Sequence, residues 1–158
     1  MNSLIDWLPN NLPTEKRTGI VHGDYSLTNV MIGKNDPNVI AILDWELSTL
    51  GDPCADFNYH CLQYTMNPKL ADKEYCKNQG IPVIDDYVKM YSEKIEIDLT
   101  EEWDLYSAYN LFKLAGILQG ILGRVRDGTA AHENAAERAS GVRNLSDKAW
   151  DLVEKNFL

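Results

Sequence analysis

Two short apolar runs around a turn-rich segment constrain the first third of this 158-residue chain most strongly. Residues 30–32 and 39–43 are apolar and rich in β-branched side chains, and residues 33–38 include glycine, asparagine, aspartate and proline. Such runs favour strands and such a connection favours a turn, so the sequence predicts a β-hairpin. Asn29 immediately precedes the first predicted strand, and Asp44 immediately follows the second. The hairpin would therefore bring these two side chains together at its open end.

The loop before the hairpin carries polar residues at a spacing with chemical meaning. His22 and Asp24 precede Asn29, which follows Asp24 by five residues. In the protein-kinase pattern H-R-D-L-x-x-x-N, the aspartate accepts the proton of the attacking hydroxyl, the asparagine binds Mg²⁺, and a later aspartate completes the metal site. Mg²⁺ prefers oxygen ligands, which Asn29 and Asp44 supply. The spacing thus predicts phosphoryl transfer with ATP as the donor and Mg²⁺ as the cofactor.

Three motifs together resemble a known family. They are His22-Gly23-Asp24 with Asn29, then Asp44-Trp45-Glu46, then Gly51-Asp52-Pro53 followed by Asp56. This combination is similar to the aminoglycoside phosphotransferase and choline kinase-like superfamily, whose C-terminal lobe is related to that of protein kinases. Residues 40–53 and 114–121 resemble more closely the kinase-like domain that is fused to acyl-CoA dehydrogenases.

The resemblance implies the reactive residues. Asp24 would be the catalytic base. Asn29 and Asp44 would bind magnesium and, through it, the nucleotide. Glu46 would support a metal ion or its waters, although a solvated carboxylate at a strand end is an equally ordinary interpretation.

The resemblance also implies three supporting residues. His22 would brace the loop by hydrogen bonds, and Asp56 would match the buried helix aspartate that holds the loop backbone. Asp52, which precedes a proline, would start the following turn or cap a helix. Gly23 stands where regulated protein kinases carry an arginine that binds a phosphorylated activation loop, so the resemblance argues against such a switch.

No nucleotide-binding half is visible in the sequence. Only 21 residues precede His22, and they contain neither a Gly-rich phosphate loop nor a strand lysine. Enzymes of this superfamily have a small β-rich lobe there. We therefore expect residues 1–158 to be a single domain, the C-terminal catalytic and substrate-binding lobe, with the missing N-terminal lobe or a second copy of the chain as its partner.

Composition excludes several function classes. A formal net charge of −9 argues against nucleic-acid binding, which needs clustered Lys and Arg. No apolar run approaches the roughly 18 residues of a membrane span, and no signal peptide is visible, so we expect an intracellular, soluble protein. Three cysteines without a C-x-x-C pair indicate packed thiols.

Beyond residue 53 the apolar spacing is helical. We expect an α+β fold that is mostly helical, a protein kinase-like C-terminal lobe whose small β-hairpin carries the site. An opening helical turn covers 4–8. The expected helices are 53–64, a short one at 71–77, 82–95, 100–126 opened by an Asp98-x-x-Glu101 cap, and 130–155.

The acceptor and two rival functions stay open at this stage. The acceptor would be a small-molecule hydroxyl, and an acyl-CoA-linked hydroxy compound fits the resemblance better than a cationic aminoglycoside or choline. A non-catalytic, pseudokinase-like binding lobe is the first alternative. A metallohydrolase is the second, and it requires His22 to bind the metal directly, whereas a kinase site places His22 in the hydrogen-bond network of the backbone.

Overall fold

The computed structural model describes residues 1–15, 17–130 and 134–158, which form two compact units. One unit is Thr14–Trp103, and it contains the residues that the sequence predicts for the site. The other combines Met1–Pro13 with Asp104–Leu158. Compact units can be parts of one domain, so the single-domain assignment stays a prediction.

The described residues are mostly helical, with two small antiparallel sheets, which confirms the predicted fold class. The helices in chain order are α1 (Asn2–Trp7), α2 (Pro53–Met66), α3 (Pro68–Ala71), α4 (Lys73–Asn78), α5 (Ile84–Ile95), α6 (Trp103–Arg126), α7 (Ala135–Arg138) and α8 (Val142–Phe157). The strands are β1 (Gly19–Val21), β2 (Val30–Ile32), β3 (Val39–Ile42) and β4 (Thr49–Gly51). None of the described helices is both long and apolar enough to span a bilayer.

The predicted hairpin is present as β2 and β3. The two strands are antiparallel, with Val30 opposite Ile42 and a register shift after Met31. A second pair, β1 with β4, places Gly19 opposite Gly51. The sequence did not predict β4, because three residues that include a glycine carry no periodic apolar signal.

Packing against α5 fixes the position of α2, the helix that faces the predicted catalytic loop. Phe57 on α2 stacks on Tyr91 of α5, with ring centroids 3.7 Å apart and planes 10° apart. Trp103 lies 5.8 Å from the same ring. All three cysteines are buried and unbridged, and Cys54 and Cys61 add to this α2 core. The buried aromatic contacts hold α2 in place.

Three helix boundaries differ from the sequence-based expectation. Residues 67–78 form two short helices instead of one, because the side chains of Asn67 and Asp72 each cap a helix start. Asp98 caps a turn by accepting the Thr100 N–H at 2.8 Å, so α6 begins only at Trp103. The last predicted helix is interrupted at Ala139–Gly141, and its residues 131–133 lie outside the described residues.

The terminal unit is built on α1, α6 and α8. Its fully buried side chains include Leu4, Leu111 and Val153. Trp7 and Phe157 place their ring centroids 5.8 Å apart. These contacts join the first and last segments of the chain into one core.

We expect the stability of the chain to fall in alkaline solution through its half-buried tyrosines. Burial, the largest cause, raises the pKa of Tyr59, Tyr87 and Tyr91 from 10.0 to about 12. The unfolded side chains ionise near pH 10, so the contribution of these tyrosines to the free energy of unfolding should be constant below that pH and decrease as the pH rises towards 12.

Urea midpoints measured at pH 8, 10 and 11.5 test this expectation. Tyr91→Phe should lose less stability than the wild type between pH 8 and pH 11.5, because it has no hydroxyl to ionise. An equal alkaline loss in wild type and Tyr91→Phe would show that this tyrosine does not contribute to the pH dependence.

Candidate active site

The Asp56 carboxylate connects α2 to the loop that carries Asp24. Its Oδ1 accepts the Gly23 N–H at 3.0 Å, and its Oδ2 accepts the His22 N–H. Two backbone donors thus meet the two oxygens of one carboxylate, an arrangement in which the charge strengthens both bonds. These are the hydrogen bonds that the sequence analysis expected of Asp56. Its side chain is half-buried, where full burial was expected.

His22 lies in the hydrogen-bond network of the backbone. Its Nε2 is 2.7 Å from the Leu43 carbonyl oxygen, and its Nδ1 accepts the Asp24 N–H at 3.2 Å. These partners correspond to a neutral ring that carries its proton on Nε2. The side chain is buried, with the Trp45 ring 4.7 Å away. Because both ring nitrogens are engaged, this geometry disfavours the metallohydrolase alternative, which needs one of them for a metal.

Asp24 and Asn29 contact each other across the loop. The Asn29 side-chain Nδ2 donates to the Asp24 carbonyl oxygen at 2.9 Å and lies 3.4 Å from the Asp24 Oδ2. Since the amide nitrogen is held by Asp24, the Oδ1 of Asn29 is the end of the amide that is left to accept or to bind a cation. This orientation fits an Mg²⁺ ligand.

Asp44 lies beside Asn29 at the open end of the hairpin. The Leu43 N–H donates to the Asn29 carbonyl oxygen at 2.8 Å, one residue before Asp44. Asp44 itself is exposed and has a φ of 67°, in the left-handed region. Non-glycine residues adopt this conformation at a cost, and such strain concentrates at functional sites. Asn29 and Asp44 thus place two side-chain oxygen donors at the ends of two paired strands, and oxygen donors of these types are the ones that Mg²⁺ prefers.

Gly23 has a steric reason to be glycine. Its φ is +87°, and a Cβ there would lie 2.5 Å from the Leu47 carbonyl oxygen. An arginine or any other L side chain at this position would have to displace the backbone that follows Asp44. The packing of the loop thus excludes the arginine that regulated protein kinases carry at this position.

Glu46 and Asp52 occupy the segment after Asp44. Glu46 is exposed in the turn Trp45–Leu47, two residues past Asp44, and its link to a metal stays a prediction. The Asp52 side chain accepts the Cys54 N–H at 2.9 Å and so caps α2. Asp52 thereby fixes the start of the helix that carries Asp56.

Sequence analysis missed Tyr59, which the structure brings to Asp24. Burial, and after it the negative charge of Asp24 and hydrogen bonding to it, raise the pKa of Tyr59 to about 12. The sequence signal that could have identified Tyr59 is its spacing from Asp56. The two residues are three positions apart in a predicted helix, so their side chains share one helix face.

His60 was interpreted from the sequence as an isolated structural or surface residue. Its ring lies 5.5 Å from that of Tyr25, and burial lowers its pKa. His60, the neighbour of Tyr59 on α2, thus contacts Tyr25, the loop residue that follows Asp24.

Comparison with known proteins agrees with this geometry. A model of the phosphotransferase enzyme family matches residues 1–109. The chain belongs to this family. A solved structure, assigned as an aminoglycoside phosphotransferase of Ralstonia eutropha, superposes with a TM-score of 0.90 and 40% identity, covering 99% of this chain and 49% of that one. The resemblance inferred from the motifs is confirmed.

Two curated relatives are much longer proteins. Acyl-CoA dehydrogenase family member 10 of mouse is 38% identical over 98% of this chain, and family member 11 of human is 32% identical over 99%. The chain spans 15% and 21% of their lengths. The matched family is one of phosphotransferase enzymes.

Replacing Asp56 with asparagine should destabilise the chain by about 1–3 kcal/mol, because the amide group has one acceptor and would direct its NH₂ at a backbone donor. Asp72→Asn is the matched control. Asp72 also accepts two backbone N–H groups, from Glu74 and Tyr75, but with the single atom Oδ1. Asparagine caps helices as well as aspartate, so the control should be nearly neutral. Thermal unfolding of both variants measures the difference, and equal losses would contradict the two-oxygen role of Asp56.

The left-handed backbone at Asp44 predicts an unusual order of stabilities. Asp44→Asn should leave the free energy of unfolding almost unchanged, Asp44→Gly should raise it, and Asp44→Ala should lower it by roughly 1 kcal/mol, since alanine tolerates positive φ poorly. Urea unfolding of the three variants provides the measurement. If alanine is as stable as glycine, the strain assigned to Asp44 is wrong.

Proposed function

We propose that this chain is the catalytic and acceptor-binding lobe of an enzyme that transfers the γ-phosphoryl group of ATP to a hydroxyl of a small molecule, with Mg²⁺ as cofactor. The observation that carries the proposal is the contact of Asp24 with Asn29, on a loop held by Asp56 and beside Asp44. A base and two oxygen ligands are thus close together yet on separate residues. Phosphoryl transfer requires this separation of roles.

Asp24 is the proposed base. In the transfer, the acceptor oxygen forms a bond to the γ-phosphorus, the bond from that phosphorus to the bridging oxygen of ADP breaks, and the hydroxyl proton passes to the Asp24 carboxylate. The Asn29 amide nitrogen lies 3.4 Å from Oδ2 of this carboxylate. A carboxylate has about four acceptor positions, so an oxygen lone pair remains for the acceptor hydroxyl.

Asn29 and Asp44 are the proposed magnesium ligands, and Glu46 is proposed to hold a metal-bound water. Mg²⁺, when bound, neutralises phosphate charge and orients the γ-phosphoryl group. The structural support is the orientation of the Asn29 amide, whose nitrogen is occupied by Asp24. Asp44 adds a full negative charge at the end of the hairpin.

A broad apolar surface on the strand-bearing unit supports a partner for this lobe. Large hydrophobic side chains are exposed at Ile20, Leu27, Met31, Ile32, Val39, Ile40, Leu43, Trp45, Leu47 and Leu50. Contiguous exposed apolar side chains mark interaction surfaces. We propose that a β-rich nucleotide-binding lobe covers them, and that a second copy of the chain does so when that lobe is absent.

The proposed acceptor is an acyl-CoA-linked hydroxy compound. The support is the names of the relatives, which are acyl-CoA dehydrogenase family members, with similarity over almost the whole of this chain. A kinase-like lobe in such a protein would act on a hydroxyl in the same chemical series. Incubation with 3-hydroxyacyl-CoA and, separately, with an aminoglycoside and choline distinguishes this acceptor from the cationic ones.

Substitution of the base and of a ligand should separate chemistry from binding. In an enzyme with both lobes, Asp24→Asn should retain the affinity for ATP·Mg²⁺ and lower kcat by about 10²- to 10⁴-fold. Asp44→Asn should instead weaken ATP·Mg²⁺ binding and abolish turnover, because one charge of the metal site is lost. Isothermal titration and phosphoryl-transfer kinetics measure the two effects, and equal loss of binding in both variants would contradict the division of roles.

The isolated chain should bind ATP·Mg²⁺ weakly and self-associate through its apolar surface. Isothermal titration together with light scattering on the 158-residue chain tests both statements. A monomer with micromolar or tighter ATP affinity would overturn the proposed need for a partner lobe. Nucleotide binding without turnover by the two-lobed enzyme on every acceptor would instead favour the pseudokinase-like alternative.

A further inference from the structure

We infer that Trp45 is a positioning residue for Asp44, a role that rests on the proposed function. Its indole N–H bonds to the backbone on the other side of Asp44 and so holds the turn that carries the Asp44 carboxylate. In this scheme Trp45 touches neither the metal ion nor the reacting atoms. It fixes the backbone of a residue that is proposed to bind the metal.

The indole bond closes a short loop around Asp44. The Trp45 Nε1 donates to the Ile42 carbonyl oxygen at 2.8 Å, an ordinary N–H···O distance. Ile42 is the last residue of β3, and Trp45 is the first residue of the turn Trp45–Leu47. Only Leu43 and Asp44 lie between the two bonded residues. The backbone torsions of Asp44 therefore cannot change far without breaking this bond.

His22 fixes the other side of the same residue. Its Nε2 lies 2.7 Å from the Leu43 carbonyl oxygen, which holds the peptide group that precedes Asp44. The indole bond of Trp45 holds the residue that follows Asp44. The rings of His22 and Trp45 also contact each other, with their centroids 4.7 Å apart. Asp44 thus lies between a fixed peptide group on one side and a fixed residue on the other.

Asp44 needs such support because its backbone conformation is unfavourable. Its φ is 67° and its ψ is 53°, in the left-handed region where an L side chain crowds the backbone. Glu96 also has a positive φ, but it lies at the C-terminal end of α5, where a left-handed residue commonly ends a helix. Asp44 instead follows a strand, and a strained residue persists only where its surroundings over-determine it. The bonds from His22 and Trp45 supply that constraint.

The nitrogen of the indole, more than its apolar ring, distinguishes tryptophan at position 45. The side chain is 44% exposed, so the filling of a core does not explain it. Phenylalanine could also pack against His22, but it carries no hydrogen-bond donor, whereas the indole N–H is one. A ligand that is already held in its binding conformation loses less freedom when a metal ion binds. We therefore expect the indole bond to raise the affinity of the site for a divalent ion.

NMR spectroscopy of Trp45→Phe in the 158-residue chain tests the backbone role without requiring turnover. A positive φ brings the amide proton and the Hα of one residue close together, so wild-type Asp44 should show a strong intraresidue NOE between them. In Trp45→Phe this NOE should weaken, because Asp44 can then leave the left-handed region. An unchanged NOE would overturn the inference.

Titration of the same two samples with Mn²⁺ alone tests the consequence for metal binding. Mn²⁺ broadens the amide signal of Asp44 when it binds nearby, and we expect the midpoint concentration to be about 10-fold higher in Trp45→Phe. An unchanged midpoint would also overturn the inference. If the broadening in the wild type is centred elsewhere, the proposed metal site fails, and the NOE alone decides whether Trp45 positions Asp44.

Two further variants separate the indole N–H from general effects. Replacing Trp45 with 3-benzothienylalanine keeps the shape of the ring system but removes the N–H, so it should reproduce Trp45→Phe. Trp150→Phe is the matched control, because the Trp150 Nε1 donates at 2.7 Å to the Glu154 Oε1 on α8. Its loss should change neither the NOE nor the midpoint. A wild-type response of the benzothienyl variant, or an equal change in Trp150→Phe, would show that the effect does not come from the Trp45 N–H bond.

Kinetics of the two-lobed enzyme distinguish this role from that of the base. We expect Trp45→Phe to raise the KM for ATP·Mg²⁺ about 10-fold while kcat changes little, the reverse of the effects expected for Asp24→Asn. Trp150→Phe should leave both parameters unchanged. A loss of kcat in Trp45→Phe with an unchanged KM would contradict a role in positioning a metal ligand.

Discussion

The site depends on the hydrogen bonds that two backbone N–H groups donate to one carboxylate. Asp56 accepts both the His22 and the Gly23 N–H, and it does so from a helix whose own position is fixed by the Phe57 stack on α5. A loop between short strands has few contacts of its own and would otherwise sample many conformations. The Asp56 side chain thereby links the packed core to the backbone of the loop that carries Asp24.

From that anchor the remaining contacts follow in order along the loop. His22 turns its ring towards the Leu43 carbonyl, which ties the loop to the end of β3 immediately before Asp44. Asn29 completes the connection through the Leu43 N–H. Leu43 therefore bonds to both sides of the loop with its backbone. This explains how two residues fifteen positions apart in the sequence become neighbours at one end of a hairpin.

The sequence predicted those parts of the site that depend on local patterns. The hairpin followed from β-branched runs around a turn, and the Asp24 to Asn29 spacing identified the loop, because both signals lie within about twenty residues. β4 and Tyr59 were missed for different physical reasons. β4 is defined only by pairing with β1, a distant segment, and Tyr59 differs from the other tyrosines of the chain only by what its hydroxyl meets. The helix start after Asp72 is set by the cap of that side chain, whereas α6 begins at Trp103, after the turn that Asp98 caps at Thr100.

The position of a bound divalent ion tests the central claim most directly. Mn²⁺ can replace Mg²⁺ at oxygen sites, and its unpaired electrons broaden NMR signals of nearby nuclei. With ADP and Mn²⁺ added to the ¹⁵N-labelled chain, the account predicts that the amides of Asn29, Leu43 and Asp44 lose intensity first, while those of Cys76 and Asp98 persist. Broadening centred on the acidic residues Asp85 to Asp98, with sharp signals at Asn29 and Asp44, would contradict the assignment of this loop and hairpin as a phosphotransferase metal site.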